Sequence, residues 1–376
     1  MSDSNESLID KSARLVVSFF LASAGLWLLV AAGLAYVVAA KSTDPTFLGS
    51  CEFLTYGKVK AAQTNAFVYG WASNAVFAVS IWLLARLGQA EVRGRFYLIV
   101  AGAVWNLAIT LGLGGILAGH MTSSDLMEMP VVVWPALLVS YFVIAAMIVV
   151  LHRSRINRET YVTQWFILAS FLWFPALFLV AWQGLELNPG RGTVQSVVSM
   201  WYSQNVIWLW ITPIALGSAY YLIPKILGRP IEKYYLAIFG FWCIAFLAPW
   251  SGLHHLEGGP FPMWIPAIGT VMSIAMVFPI AVASTNFHAT AFKDIGKVWN
   301  NLPLRFVIFG TISYTISSYI GIIFSLPAVA KITQFSIINE FHFNQRVYGF
   351  FSMIIFGVVY YMLPRITGNK TNENAA

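Results

Sequence analysis

Ten long apolar runs, each about the length that crosses a hydrocarbon core, constrain this chain more than any other feature. A helix buried in a soluble protein seldom stays apolar for more than about a dozen residues, whereas a bilayer demands about 20. The runs fall at 14–40, 65–87, 95–119, 130–151, 161–184, 198–224, 234–253, 264–285, 304–325 and 340–363. Only 10% of the residues are charged and 59% are hydrophobic, too apolar a balance for a soluble surface. The first run is too long for a signal-peptide core and has no convincing small-residue cleavage site before the next polar stretch, so it counts as helix 1. Polar intervals are short throughout, and residues 1–376 read as a single polytopic membrane domain. The expected fold class is all-α, an integral membrane helical bundle.

A net charge of +7 would suggest nucleic acid in a soluble protein, but here its distribution explains it. The N-terminus, the C-terminus and the loops after helices 2, 4, 6 and 8 hold 16 Lys and Arg; the opposite loops hold 5. Positive loops stay in the cytoplasm, which predicts cytoplasmic N- and C-termini and requires no nucleic-acid partner. Cys51 and Cys243 are the only cysteines, too few for a disulfide framework or a thiolate metal site, and the absence of Cys-x-x-Cys-His excludes a covalent c-type heme on this chain.

That topology gathers polar side chains at one depth. Helices 2, 6 and 10 enter from outside, placing Gln63, Gln204, His342 and Asn344 near their outer ends, and helix 7 leaves outward at His254 and His255. Polar groups in that layer are costly and mark a site or a set of helix caps in about equal measure. Glu340 and Arg346 flank His342 and are too far apart in sequence to share a helix face, so each is expected to meet a partner from another helix. The sequence also echoes itself: Ala219-Tyr-Tyr-Leu-Ile-Pro-Lys-Ile-Leu-Gly228 returns as Val359-Tyr-Tyr-Met-Leu-Pro-Arg-Ile-Thr-Gly368, which fits either a repeated helical unit or convergent interfacial chemistry.

The segments Leu54-Thr-Tyr-Gly-Lys-Val-Lys-Ala-Ala-Gln-Thr-Asn65, Trp201-Tyr-Ser-Gln-Asn205, Tyr220-Tyr-Leu-Ile-Pro-Lys225, Trp250-Ser-Gly-Leu-His-His255 and Tyr360-Tyr-Met-Leu-Pro-Arg365 resemble subunit I of the cbb-type heme-copper oxidases, in order and spacing. The resemblance spans all ten helices, and the family's last two have no counterpart. It implies an outer-third site with a low-spin heme, a high-spin heme and copper, used to reduce oxygen and pump protons. Residue by residue the implication changes. The low-spin heme's two histidines align with Gln63 and Asn344, amides that ligate heme iron poorly. The copper site keeps His254 and His255 but has Gln204 in place of its third histidine, and the helix 7 Tyr aligns with Ala248. The high-spin heme's axial ligand survives as His342, while family glycines near the redox centre align with Trp208 and Arg346.

No catalytic residue is assigned on this basis. The expectation is a degenerate subunit without cofactor, a membrane anchor or scaffold in a respiratory complex of the bacterial inner membrane. Its partners would be the other subunits, with a periplasmic cytochrome c or dehydrogenase as candidate donor. An enzymatic alternative keeps a b-type heme on His342, with chemistry akin to an oxidase or nitric-oxide reductase; copper is not expected. A transporter is the third reading, disfavoured because the cluster lies far from the midplane and the helices read as continuous.

Overall fold

The computed structural model describes residues 3–334 and 336–368, with side chains from residue 8 onward. Both extreme termini, whose cytoplasmic location the charge pattern predicts, lie outside these residues. Ten helices among the described residues are long and apolar enough to span a membrane: α1 (Leu8–Thr43), α2 (Tyr56–Gly88), α3 (Arg95–Ala118), α4 (Val131–Arg153), α5 (Val162–Leu187), α6 (Thr193–Leu227), α7 (Tyr234–Leu256), α8 (Trp264–Trp299), α9 (Leu302–Phe324) and α10 (Ile337–Thr367). No strand occurs among the described residues.

Two expectations about the helices need correction. Helix α2 starts at Tyr56 rather than at 65, because Lys58, Lys60 and Gln63 are good helix formers and Val59, Ala61 and Ala62 between them are buried. The helices are also not continuous α-helix. Stretches of π-helix interrupt α2 at Ala66–Ala72, α6 at Val206–Ile211 and α10 at Gln345–Ser352, and one ends α5 at Gln183–Leu187. A π turn inserts an extra residue and reorients the side chains around it, which is why such turns gather at functional sites.

The chain forms two compact units. The first comprises residues 1–156 and 178–189, which hold α1 to α4 and the end of α5. Its centre is α2, whose most apolar window is wholly buried. Gly70 makes this possible: a Cβ there would lie 2.7 Å from the Trp27 ring of α1. Two polar clusters inside are matched by hydrogen bonds. Asn74 and Asn106 exchange amide hydrogen bonds of 3.0 Å each way, and Trp27 Nε1 donates to Asn106 Oδ1 at 2.7 Å. At the other end of α2, Arg86 Nε and Trp82 Nε1 donate to Asp10 Oδ1 at 2.9 and 3.0 Å, and Arg86 Nη2 donates to Asp10 Oδ2.

The second unit comprises residues 157–177 and 190–376, holding the start of α5 and α6 to α10. Helix α9 meets α10 across glycines: a Cβ on Gly357 would lie 2.6 Å from the Pro303 carbonyl, and one on Gly310 would lie 2.6 Å from Ile354. Such close backbone approach replaces the hydrophobic driving force that lipid does not provide. The sequence echo has a structural meaning here. Gly228 and Gly368 both take the left-handed conformation, φ 69° and 77°, and both return their N–H to the carbonyl of the echoed proline, Pro224 or Pro364, at 2.9 Å. Only glycine adopts that conformation without cost, so the repeat ends each helix in the same way.

Candidate functional site

The site in the second unit is assembled around a short turn of tight helix. After Ser251 the chain of α7 narrows to a 3-10 turn over Gly252–Leu256, carrying His254 and His255. In a regular α-helix adjacent residues diverge by about 100°, and the terminal turn relaxes that constraint. The two imidazoles lie 4.1 Å apart, centroid to centroid, at 37°. Glycines on both sides let neighbours reach the turn. A Cβ on Gly252 would lie 2.1 Å from Gln204 Cγ of α6, and one on Gly269 of α8 would lie 2.2 Å from the His254 backbone nitrogen.

Each imidazole is held by a named group. His254 Nδ1 donates to the Ser251 carbonyl at 2.5 Å and lies 2.9 Å from Ser273 Oγ of α8, which itself donates to Ser251 O at 2.6 Å. His255 Nε2 lies 3.1 Å from Gln204 Nε2, so the imidazole nitrogen accepts from the amide. His342 of α10 donates from Nε2 to the Ser317 carbonyl of α9 at 2.8 Å. Its ring lies against the α9 backbone, 3.1 Å from where a Gly321 Cβ would be, and meets the Phe324 ring edge-on at 5.6 Å. One turn along α10, the Arg346 guanidinium lies 4.4 Å from the centroid of the Trp208 ring.

Gln204, His254, His255, His342, Trp208 and Arg346 thus line one cavity of about 40 Å³. Of the other positions singled out by sequence, Ala248 is buried on α7 and offers only its carbonyl, to Ser251 Oγ at 3.1 Å. Asn344 donates to Glu340 Oε1 at 3.4 Å on its own helix. Gln63 is buried in the first unit. Arg346 does meet a side chain from another helix as expected, but it is an aromatic ring and not a carboxylate. Sequence reasoning missed Ser251, Ser273 and the Ser317 carbonyl. The signal was available for Ser273 alone, a hydroxyl that shares its largely apolar run with Thr270.

A second polar cluster, in the first unit, was also missed. Asn65 Nδ2 donates to Glu128 Oε2 at 2.6 Å, and Tyr69 OH donates to the Leu126 carbonyl in the loop between α3 and α4. Burial pushes the Glu128 carboxyl up to about 7, against the opposing pull of the Asn65 hydrogen bond.

The family model for cytochrome c and quinol oxidase polypeptide I matches residues 15–376. The chain belongs to that family. Among its relatives, the cbb3-type cytochrome c oxidase subunit CcoN1 of Stutzerimonas stutzeri is 25% identical over 366 residues, covering 94% of this chain and 76% of the relative. Cytochrome c oxidase subunit 1 of Rhodobacter capsulatus is 26% identical over 366 residues, covering 92% and 67%. In three dimensions the chain is similar to a heme-copper terminal oxidase dimer solved by electron cryomicroscopy, with TM-score 0.67 over 97% of this chain and 69% of that one at 11% identity. The fold of an oxidase subunit I is therefore present. In this family subunit I is one chain of a multisubunit membrane complex, and the family ordinarily carries heme and copper.

Proposed function

We propose that this chain is a non-catalytic relative of oxidase subunit I, a membrane anchor or scaffold within a respiratory or electron-transfer complex. The observation that carries the reading is the state of His342, the one position where the family's axial histidine is retained. Its Nε2 is spent on the Ser317 carbonyl and its ring rests directly on α9 at Gly321. An axial imidazole has to turn a nitrogen toward iron with a porphyrin face in front of it. Heme does not fit the residues around His342 as they stand. Arg346 on Trp208 lines the same cavity as His342, and about 40 Å³ of cavity is far below the roughly 300 Å³ of even a small ligand pocket.

Copper fits no better. His254 and His255 are two imidazoles facing an amide, with Arg346 lining the same cavity, and oxygen chemistry on copper wants a third nitrogen donor rather than an amide and a cation. The distribution of Lys and Arg supports cytoplasmic termini, and the likeness to bacterial oxidase subunits supports a bacterial inner-membrane location. The partners proposed are other subunits of the complex, with a periplasmic cytochrome c or dehydrogenase as electron-carrying neighbour.

The test is an absorption spectrum and a metal assay on the complex purified in mild detergent, with its co-purifying subunits identified. The expected result is no Soret band attributable to this chain and copper well below one per chain. One b-type heme per chain, lost in His342→Ala, would overturn the proposal in favour of the enzymatic alternative.

A further inference from the structure

Arg346 sits 8% exposed on the π-helical stretch of α10, within the membrane span. Its Nη2 is buried and has no hydrogen-bond partner, and among the described residues no carboxylate forms an ion pair with it. The cavity that it lines contains neither Asp nor Glu. A buried guanidinium without compensation is costly, and the ring face of Trp208 offsets only part of that cost. Polar hydrogen donors share the cavity: the second N–H of the Gln204 amide, whose other hydrogen goes to His255, and the Ser318 hydroxyl, while the Ser251 and Ser273 hydroxyls are turned to the Ala248 and Ser251 carbonyls. The cavity is therefore cationic, lined with donors, and small, about 40 Å³, which is room for a few atoms.

We propose that this cavity is a binding site for a small monovalent inorganic anion of halide or nitrate size, held by Arg346 as counter-ion and by neighbouring N–H and O–H donors. The Arg346 guanidinium offers the unfilled Nη2 as the principal donor. Size excludes a phospholipid headgroup or a nucleotide phosphate chain, and the absence of an internal carboxylate leaves the counter-charge to come from solution. The proposal rests on the reading that no porphyrin occupies the space beside His342. The absorption spectrum tests that reading separately from anion binding.

The experiment is thermal unfolding of the full-length protein in detergent, with sodium chloride, bromide or nitrate titrated against sodium gluconate at constant ionic strength. Gluconate is too large for the cavity and controls for screening. The expected result is a saturable stabilisation by the small anions, the folded-to-unfolded ratio rising about 100-fold at 100 times the dissociation constant. Arg346→Gln abolishes it and Arg346→Lys retains it in weaker form. Should Arg346→Gln fail to fold, Gln204→Glu decides, because a carboxylate built into the cavity supplies the counter-charge and removes the anion response. Equal responses to chloride and gluconate in the unaltered protein, or an undiminished chloride response in Gln204→Glu, would overturn the proposal. A Soret band in the same sample would instead overturn the reading on which it rests.

Discussion

The pair formed by Asp10 and Arg86 ties α1 to α2 in the first unit, and its energetics can be worked out before any measurement. The two side chains are 6% and 8% exposed, so neither charge is hydrated to any extent. Two guanidinium nitrogens and the Trp82 indole N–H all bond to the one carboxylate. Removing one partner strands the other: Arg86→Met leaves a buried carboxylate with an indole donor, and Asp10→Ala leaves a buried cation. Each single change is expected to cost about 3–5 kcal/mol. Removing both strands no charge and takes from the Trp82 indole N–H only its bond to Asp10, so the double variant Asp10→Ala/Arg86→Met is expected to lose less than the two singles combined, by a coupling of about 2–3 kcal/mol. Unfolding in mixed micelles followed by size-exclusion and tryptophan fluorescence gives the three differences. The coupling should also survive raised ionic strength, because buried pairs are screened far less than exposed ones. Additive singles, or a coupling that vanishes in salt, would refute the argument by placing the pair in water.

Three further outcomes follow from the same kind of reasoning. Glu128 has its folded-state carboxyl raised to about 7 from 4.5, so stability is fully present below the lower value and is lost as pH rises toward the upper one. Allowing for partial exposure the loss is about 2 kcal/mol, and Glu128→Gln should flatten the pH profile of thermal unfolding across that window; an unchanged slope would show the carboxyl to be solvated. Gly269→Ala places a methyl 2.2 Å from the His254 backbone nitrogen, a contact with main chain that no rotamer relieves. It should destabilise the protein by about 1–3 kcal/mol, and a neutral outcome in a thermal melt would mean that α8 does not pack on the histidine turn. Reporter fusions at Gly88, Arg155 and Arg229 should all report a cytoplasmic location, and one clear periplasmic signal among them breaks the orientation inferred from the positive loops.

The helices were legible because hydrocarbon imposes a single length scale and the loops carry charge that the spans do not. Their interruptions were not. A π turn changes no residue's polarity, and the run Val206-Ile-Trp-Leu-Trp-Ile211 reads the same whether its carbonyls are met four or five residues on. The depth of the candidate site was legible from topology, which brought Gln204, His254, His255 and His342 onto one cavity. What could not be read was how each side chain is occupied. That His342 turns to Ser317, and Arg346 to a ring, depends on where α9 and α6 place a carbonyl and an indole, and no spacing along α10 encodes either.

The π turns bear on the proposed reading as a non-catalytic subunit. In α2, α6 and α10, every fourth helix, an asparagine stands immediately before the π stretch: Asn65, Asn205 and Asn344. Asn65 and Asn205 each donate to the carbonyl four residues earlier, at 2.9 and 2.8 Å, satisfying a group next to the distorted turn. Four of the positions where the family resemblance places metal and heme ligands sit at or just before these asparagines: Gln63, Gln204, His342 and Asn344 itself, whereas His254 and His255 lie on the 3-10 turn of α7. Amide hydrogen bonds of Asn65 and Asn205 thus lie beside the distortion at two of these positions. With amides at Gln63 and Gln204, α2 and α6 keep their π turns and the full burial of their most apolar windows. On the proposed reading as a scaffold, a bundle that holds its π turns by its own hydrogen bonds is the condition that reading requires.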